Sequence, residues 1–204
     1  MKRLFILLTV LISAGAASAQ SLGGRIGANF ANMIRTGDDD YDTEFKPGFH
    51  AGITIDIPVV DRLSFSPEIM YSQKGYKTGG RTLFGQENEY SVTTNFIDVP
   101  LLLKINAARG FNIHLGPQVS FLLSTTEKFK TGSDDEYRRT IEEENDNLRK
   151  NIIGGVIGAG FNVGAKTTLV ARYALDLQKN NGNGDSENPE FKNQVIQLGL
   201  GFRF

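Results

Sequence analysis

N-Q-V-I-Q-L-G-L-G-F-R-F, residues 193–204, carries the clearest strand pattern of the chain. Apolar side chains occupy every second position from Ile196 to the final Phe204. Because successive side chains of a strand point to opposite faces, this segment has one apolar face and one polar face that contains glycine and Arg203. A lipid-facing strand with a polar lumen behind it fits the pattern, but a strand of a soluble sandwich fits it too.

The N-terminus has the pattern of a secretory signal peptide. Lys2 and Arg3 precede an apolar run, residues 4–12, and the small residues Ala17-Ser18-Ala19 precede Gln20. The apolar run is much shorter than the roughly 20 residues that a spanning helix needs. We predict cleavage after Ala19, which divides the chain into a signal peptide, residues 1–19, and one domain, residues 20–204.

Composition restricts the classes of partner and of membrane segment. The whole chain has 22 basic and 23 acidic residues, and loss of Lys2 and Arg3 leaves 20 and 23, a net charge of −3. We therefore expect no nucleic-acid partner. With no cysteine, a lipoprotein attachment site and disulfides are excluded. Beyond the signal peptide no segment has 18 consecutive apolar residues, so a β-barrel is the remaining way to cross a bilayer.

Eight segments alternate as the last one does, and each is long enough to cross a bilayer at a tilt, which takes about 9–11 residues. They are residues 22–32, 47–57, 62–77, 91–106, 111–123, 152–164, 167–178 and 193–204. Short connections near 58–61, 107–110 and 164–166 alternate with long polar ones near 33–46, 78–90, 125–151 and 179–192. Outer-membrane barrels have this alternation of periplasmic turns and external loops. The sequence therefore predicts an all-β fold, an eight-stranded antiparallel up-and-down transmembrane β-barrel.

Six short motifs resemble, in order and spacing, the PorT-like outer-membrane β-barrel family of Gram-negative bacteria. They are G-R-I-G-A-N-F-A-N (24–32), P-E-I-M-Y-S-Q-K-G (67–75), I-D-V-P-L-L-L-K (97–104), G-P-Q-V-S-F-L-L (116–123), R-Y-A-L-D-L (172–177) and the terminal L-G-L-G-F-R-F. Asp176 stands where such sequences often have a glycine. The resemblance implies a barrel inserted by the outer-membrane barrel assembly machinery, with Phe202 and Phe204 as its C-terminal signal. It also implies contact with outer-membrane lipid and lipopolysaccharide. The secretion role in the family's name is not transferred to this chain.

Charged residues on the polar strand faces are the candidate lumen residues. They are Arg25, Asp56, Arg62, Glu68, Asp98, Lys104, Arg172, Asp176 and Arg203. An eight-stranded barrel is only wide enough to be filled by side chains, so its buried charges are expected to pair. We predict a structural network of Arg25, Glu68, Asp98, Lys104, Arg172 and Asp176 that closes the lumen. A continuous gap between the pairs would instead give a narrow porin-like channel.

The sequence offers little for catalysis, and we predict no catalytic, cofactor-binding or metal-binding residue and no cofactor. His50 and His114 are the two histidines, and the predicted strands place them near opposite rims, without a Ser-His-acid arrangement. Acidic clusters at 38–44 and 134–146 lack the spacing of a calcium loop. We interpret these clusters as solvated surface, with cation binding as the alternative.

The third long loop has two alternative structures. Arg138 and Arg139 lie four residues before Glu142 and Glu143, which would support a short helix, and two projecting strands fit equally well. Either would offer a surface to an unknown external ligand. The sequence thus predicts a non-enzymatic outer-membrane protein of a Gram-negative bacterium with an envelope-structural or binding role. The main alternative is a soluble periplasmic lipocalin-like barrel whose inverted faces enclose a small apolar ligand.

Overall fold

The fold is built from antiparallel strands. A computed structural model describes residues 20–35, 43–81, 87–131, 135–142, 150–179 and 191–204. The predicted signal peptide, residues 1–19, lies outside this part. The strands are β1 (Ser21–Arg35), β2 (Glu44–Val60), β3 (Leu63–Arg81), β4 (Glu87–Ala108), β5 (Phe111–Thr131), β6 (Asp135–Glu142), β7 (Asn151–Asn162), β8 (Thr167–Asp176) and β9 (Phe191–Arg203).

Eight of these strands close into a ring. Each pairs with the next along the chain, β5 pairs with β7, and β9 returns to pair with β1. The closing pair runs from Gly23 opposite Arg203 to Arg35 opposite Phe191. The predicted eight-stranded antiparallel barrel is confirmed. No helix in the described ranges is long and apolar enough to cross a membrane.

Three short turns and both described ends of the chain lie at one end of the ring. The turns occupy residues 61–62, 109–110 and 163–166. Gly110 has a φ of +80°, which a residue with a side chain rarely adopts. Ser21 pairs with Asp56, and the backbone N–H of Arg203 donates to Lys166 O over 2.9 Å, so the two ends lie near these turns.

The outer surface of the ring is apolar and its interior is mainly polar. On β9, Ile196 and Leu198 are 41% and 47% exposed, whereas Val195 and Gln197, which alternate with them, are buried. The same alternation exposes Ile26, Ile53 and many other aliphatic side chains. An apolar belt made of so many exposed side chains is typical of a surface in contact with lipid. The lipocalin-like alternative needs the faces inverted, so that alternative is wrong.

One side of the barrel is much taller than the other. β3, β4 and β5 have 19, 22 and 21 residues, whereas β7 and β8 have 12 and 10. β5 pairs with β7 through Phe121, and beyond this point it pairs with β6 from Ser124 to Thr131. Residues 135–142 are therefore a strand, and the helix considered for this loop is wrong there. Residues 143–149 lie outside the described part.

The expected position of β7 across the membrane can be tested by placing a charge at two different depths. Ile157, at the middle of β7, and Val163, in the turn after it, are both 57% exposed. We expect Ile157→Arg to lower the free energy of unfolding in phospholipid vesicles by about 2–4 kcal/mol and Val163→Arg by about 0–1 kcal/mol. Urea titration of both variants measures this. Equal losses would contradict the predicted depth difference.

Candidate functional site

Strand β3 directs a row of buried side chains into the lumen, and most of them are polar. From the turn end outward they are Ser66, Glu68, Met70, Ser72, Lys74 and Tyr76. The period of two residues directs them to the same face. The interior is therefore organised in layers, each of which is completed by side chains from other strands.

The central layer is an ion-pair cluster around Glu68. Arg172 binds this carboxylate through both terminal nitrogens, with Nη1 2.7 Å from Oε2 and Nη2 2.8 Å from Oε1. Arg25 Nη1 donates to Oε2 over 2.9 Å. A bidentate arginine–carboxylate pair is among the stronger hydrogen-bonded ion pairs in proteins. The cluster connects β1, β3 and β8 across the barrel.

His114 orients Arg172 within this layer. Arg172 Nε lies 2.8 Å from His114 Nε2. Because an arginine nitrogen can only donate, Nε2 of the ring must accept, and the imidazole is neutral. Gly158 makes room for both side chains, since a Cβ there would lie 2.5 Å from Arg172 Cγ and 2.7 Å from His114 Nε2.

A second layer lies farther out around Lys74. Its Nζ is 3.0 Å from Asp98 Oδ1, 3.1 Å from Ser120 Oγ and 4.0 Å from Asp176 Oδ1. Nζ also lies 4.6 Å from the centroid of the Phe96 ring, a cation–π contact. This layer has one formal positive charge and two negative ones, whereas the Glu68 layer has two positive and one negative. The formal charges of the two layers cancel.

Different side chains occupy the two ends of the lumen. At the turn end, Lys104 Nζ lies 2.7 Å from Asp56 Oδ2, and Ser66 Oγ donates to Asp56 Oδ1 over 2.5 Å. At the outer end Met33, Tyr76 and Val92 form an apolar cluster against which Tyr90 packs. Burial, reinforced by Tyr76 and Glu127, raises the pKa of Tyr90.

The six predicted network residues fall into three separate groups. Arg25, Glu68 and Arg172 meet in the central layer, Asp98 and Asp176 flank Lys74, and Lys104 pairs with Asp56 at the turn end. Lys74, the cation of the second layer, was not predicted.

Other predicted residues lie outside the layers. Arg62 is exposed in the turn after β2, so the expectation that it faces inward is wrong. Arg203 is exposed at the rim, where its Nη2 donates to Ala165 O over 2.9 Å. Phe202 and Phe204 point outward, with Phe204 74% exposed.

Both histidines are buried and hydrogen-bonded inside the barrel. His50 Nδ1 lies 2.8 Å from Asn29 Oδ1, and His114 contacts Arg172 and Asn112. The ring of His114 therefore lies against the central layer, and the ring of His50 lies beside Gly27 and Gly199 of β1 and β9. In the part of the chain that the structure describes, these partners differ from the serine and carboxylate of a hydrolase triad.

Acidic residues of the external loops are the candidates for cation binding. The described ranges contain no group of three or more His, Cys, Asp or Glu side chains that could hold a metal ion. Most of the acidic loop residues considered for cation binding lie outside these ranges: residues 38–42, 134 and 143–146.

The sequence of this barrel matches a known protein family. Residues 18–182 match the family described as "Outer membrane protein beta-barrel domain". The chain belongs to this family. Outer-membrane localisation follows from this membership, in agreement with the apolar belt.

Two solved structures are among those similar to this chain. Neisserial surface protein A is 13% identical, with 92% of this chain and 100% of that chain covered and a TM-score of 0.52. The attachment invasion locus protein Ail of Yersinia pestis, crystallised with the heparin analogue sucrose octasulfate, is also 13% identical. There 91% of this chain and 99% of that chain are covered, with a TM-score of 0.49. No curated protein matches the sequence.

The bidentate ion pair of the central layer predicts strong energetic coupling between Glu68 and Arg172. Arg172→Met leaves Glu68 with one of its two arginines and should lower the free energy of unfolding by about 3–5 kcal/mol, as loss of one partner of a buried pair does. Glu68→Met should cost a similar amount. The double variant should cost clearly less than the two together, because Glu68→Met leaves both Arg25 and Arg172 without their carboxylate, whereas the double variant leaves only Arg25.

Urea titration in vesicles measures this cycle, and Asp56→Asn is its control. The Asp56–Lys104 pair is partly open to solvent, with side chains 30% and 25% exposed, and its loss should cost about 1 kcal/mol or less. Additive losses in the double variant, or a loss for Arg172→Met no larger than that for Asp56→Asn, would refute the coupling.

Proposed function

We propose that this protein is a non-enzymatic outer-membrane barrel that supports the cell envelope or binds a partner outside it, without conducting solutes. The observation that carries the proposal is the contrast between a lumen filled by two ion-pair layers and a sheet that continues beyond the membrane. The lumen holds the barrel in one shape. The outer sheet supplies the surface for binding.

Closure of the lumen rests on the buried side chains of the two layers. Glu68, Arg172, Lys74, Asp98 and Asp176 are all between 2% and 6% exposed, so their charged groups are satisfied by one another rather than by a water column. In an eight-stranded barrel, side chains of this size fill the interior. This packing argues against the porin-like alternative.

Planar-bilayer recording tests closure. We expect no stepwise conductance from the purified protein, because ions would have to displace paired charges from both layers. The same sample must show a compact unboiled band on a gel, so that an absence of conductance cannot be due to unfolded protein. Sizeable, reproducible single-channel steps would overturn the closed-lumen proposal.

The binding role is assigned to the tall side of the barrel. Pairing of β3 with β4 continues to Arg81 opposite Glu87, and that of β5 with β6 to Thr131 opposite Asp135. From Phe121 to Thr131, β5 extends by roughly 30 Å of strand length at about 3.3 Å per residue. A hydrogen-bonded sheet of this length, presented outside the membrane, is a suitable scaffold for contact with an external ligand.

The route to the membrane is the other part of the proposal. Residues 1–19 would direct export and be removed, and the assembly machinery would then recognise a C-terminal strand that presents Phe202 and Phe204. The belt of outward aliphatic residues would contact outer-membrane lipid and lipopolysaccharide. The PorT-like motifs support placement in that narrower group, with no secretion role implied.

Removal of Phe204 tests the assembly signal. Its side chain is 74% exposed, so its loss should hardly affect the packing of the finished barrel. We expect the truncated chain to give much less heat-modifiable protein in the outer-membrane fraction. In vitro refolding of the same variant should be almost normal.

Phe161→Ala is the matched control, because Phe161 is also an exposed aromatic near the turn end but lies inside the chain. Equal loss of assembled protein in both variants would contradict a specific role of the terminal residue.

A further inference from the structure

A polar cavity opens at the turn end of the barrel, inside the ring. Its outer part has a volume of about 270 Å³ and is lined by residues that include Asp56, Lys104, Lys166, Thr168 and Arg203. A smaller part of about 60 Å³ shares several of these residues and reaches Arg25, Glu68 and Arg172. We call the two parts together the vestibule. It ends at the central layer.

Positive charge predominates in the vestibule. Its walls carry five cations, Arg25, Lys104, Lys166, Arg172 and Arg203, against the two carboxylates Asp56 and Glu68. Both carboxylates are already engaged, Glu68 by two arginines and Asp56 by Lys104 and Ser66. The vestibule therefore has donors in excess of its own acceptors.

Arg25 shows this excess at a particular atom. Its side chain is 10% exposed, and its Nε is buried without a hydrogen-bond partner among the described residues. A buried donor left unpaired destabilises a protein, and a guanidinium offers donors in a planar fork that suits phosphate and carboxylate. Asn112 and Thr168 add neutral polar groups to the same wall.

We propose that the vestibule binds a small oxyanion, a phosphate or carboxylate group that enters from the periplasmic side. Lys166 and Arg203 attract the anion at the mouth, and Lys104 and Arg25 contact it deeper in the barrel. The central layer stops it from passing farther. This site lies at the opposite end of the barrel from the external sheet, so it goes beyond the proposed binding role.

Calorimetry on the full-length mature protein in nanodiscs at low ionic strength tests the site, with inorganic phosphate and succinate as separate titrants. We expect saturable binding of at least one of them. Lys166→Gln and Arg203→Gln should each weaken it about tenfold, since each removes one charge-assisted contact. Arg109→Gln removes the same charge from an exposed turn at the same end, outside the vestibule, and should leave affinity unchanged.

Nitrogen-15 NMR provides a second readout that needs no substitution. The Nε–H resonance of Arg25 should shift with the same saturation curve as the heat. Binding of phosphate alone would identify a phosphate site, and equal binding of both titrants a general oxyanion site. The proposal is overturned if neither titrant binds, if Arg109→Gln weakens binding as much as Arg203→Gln, or if the Arg25 resonance does not move.

Discussion

The buried carboxylate of Glu68 is the group on which the interior depends. An isolated charge at this position would be very costly, and two guanidinium groups from β1 and β8 make it tolerable. Their excess positive charge is balanced by the excess negative charge around Lys74. The two layers thus act as one neutral unit, and a change in either alters the electrostatic environment of the other.

Most of the fold could be predicted from side-chain alternation. In each of the eight strands of the ring one face meets lipid and the other meets the lumen. A shift of one residue would expose the wrong set, so the pattern locates each of these strands. The same alternation indicated that Glu68 and Arg172 face inward. Loop lengths then distinguished the two ends of the barrel. These features depend on local sequence, so they can be predicted from the sequence alone.

The partners within the lumen could not be predicted in this way. Lys74 follows Glu68 by six residues and therefore shares its face, so the alternation could have revealed it. Which residue it meets depends on strand tilt and on irregularities such as the register shift between Asn95 and Phe96, which hydrophobicity does not encode. The conformation of the β6 segment could not be predicted for a related reason. Its sequence D-E-Y-R-R-T-I-E has no apolar alternation, and its extended form is seen in its pairing with β5.

The pairing of β1 with β9 has a consequence for how the barrel forms. Apart from the short β6, every other pair in the ring joins strands that are neighbours along the chain, so those hairpins can form early with little loss of chain entropy. The β1–β9 pair has thirteen matched positions and brings together the first and the last of the described strands. It can form only after the last strand has been synthesised. Ring closure is therefore the late, non-local step of folding, and until it occurs both edges remain open to pairing with another chain.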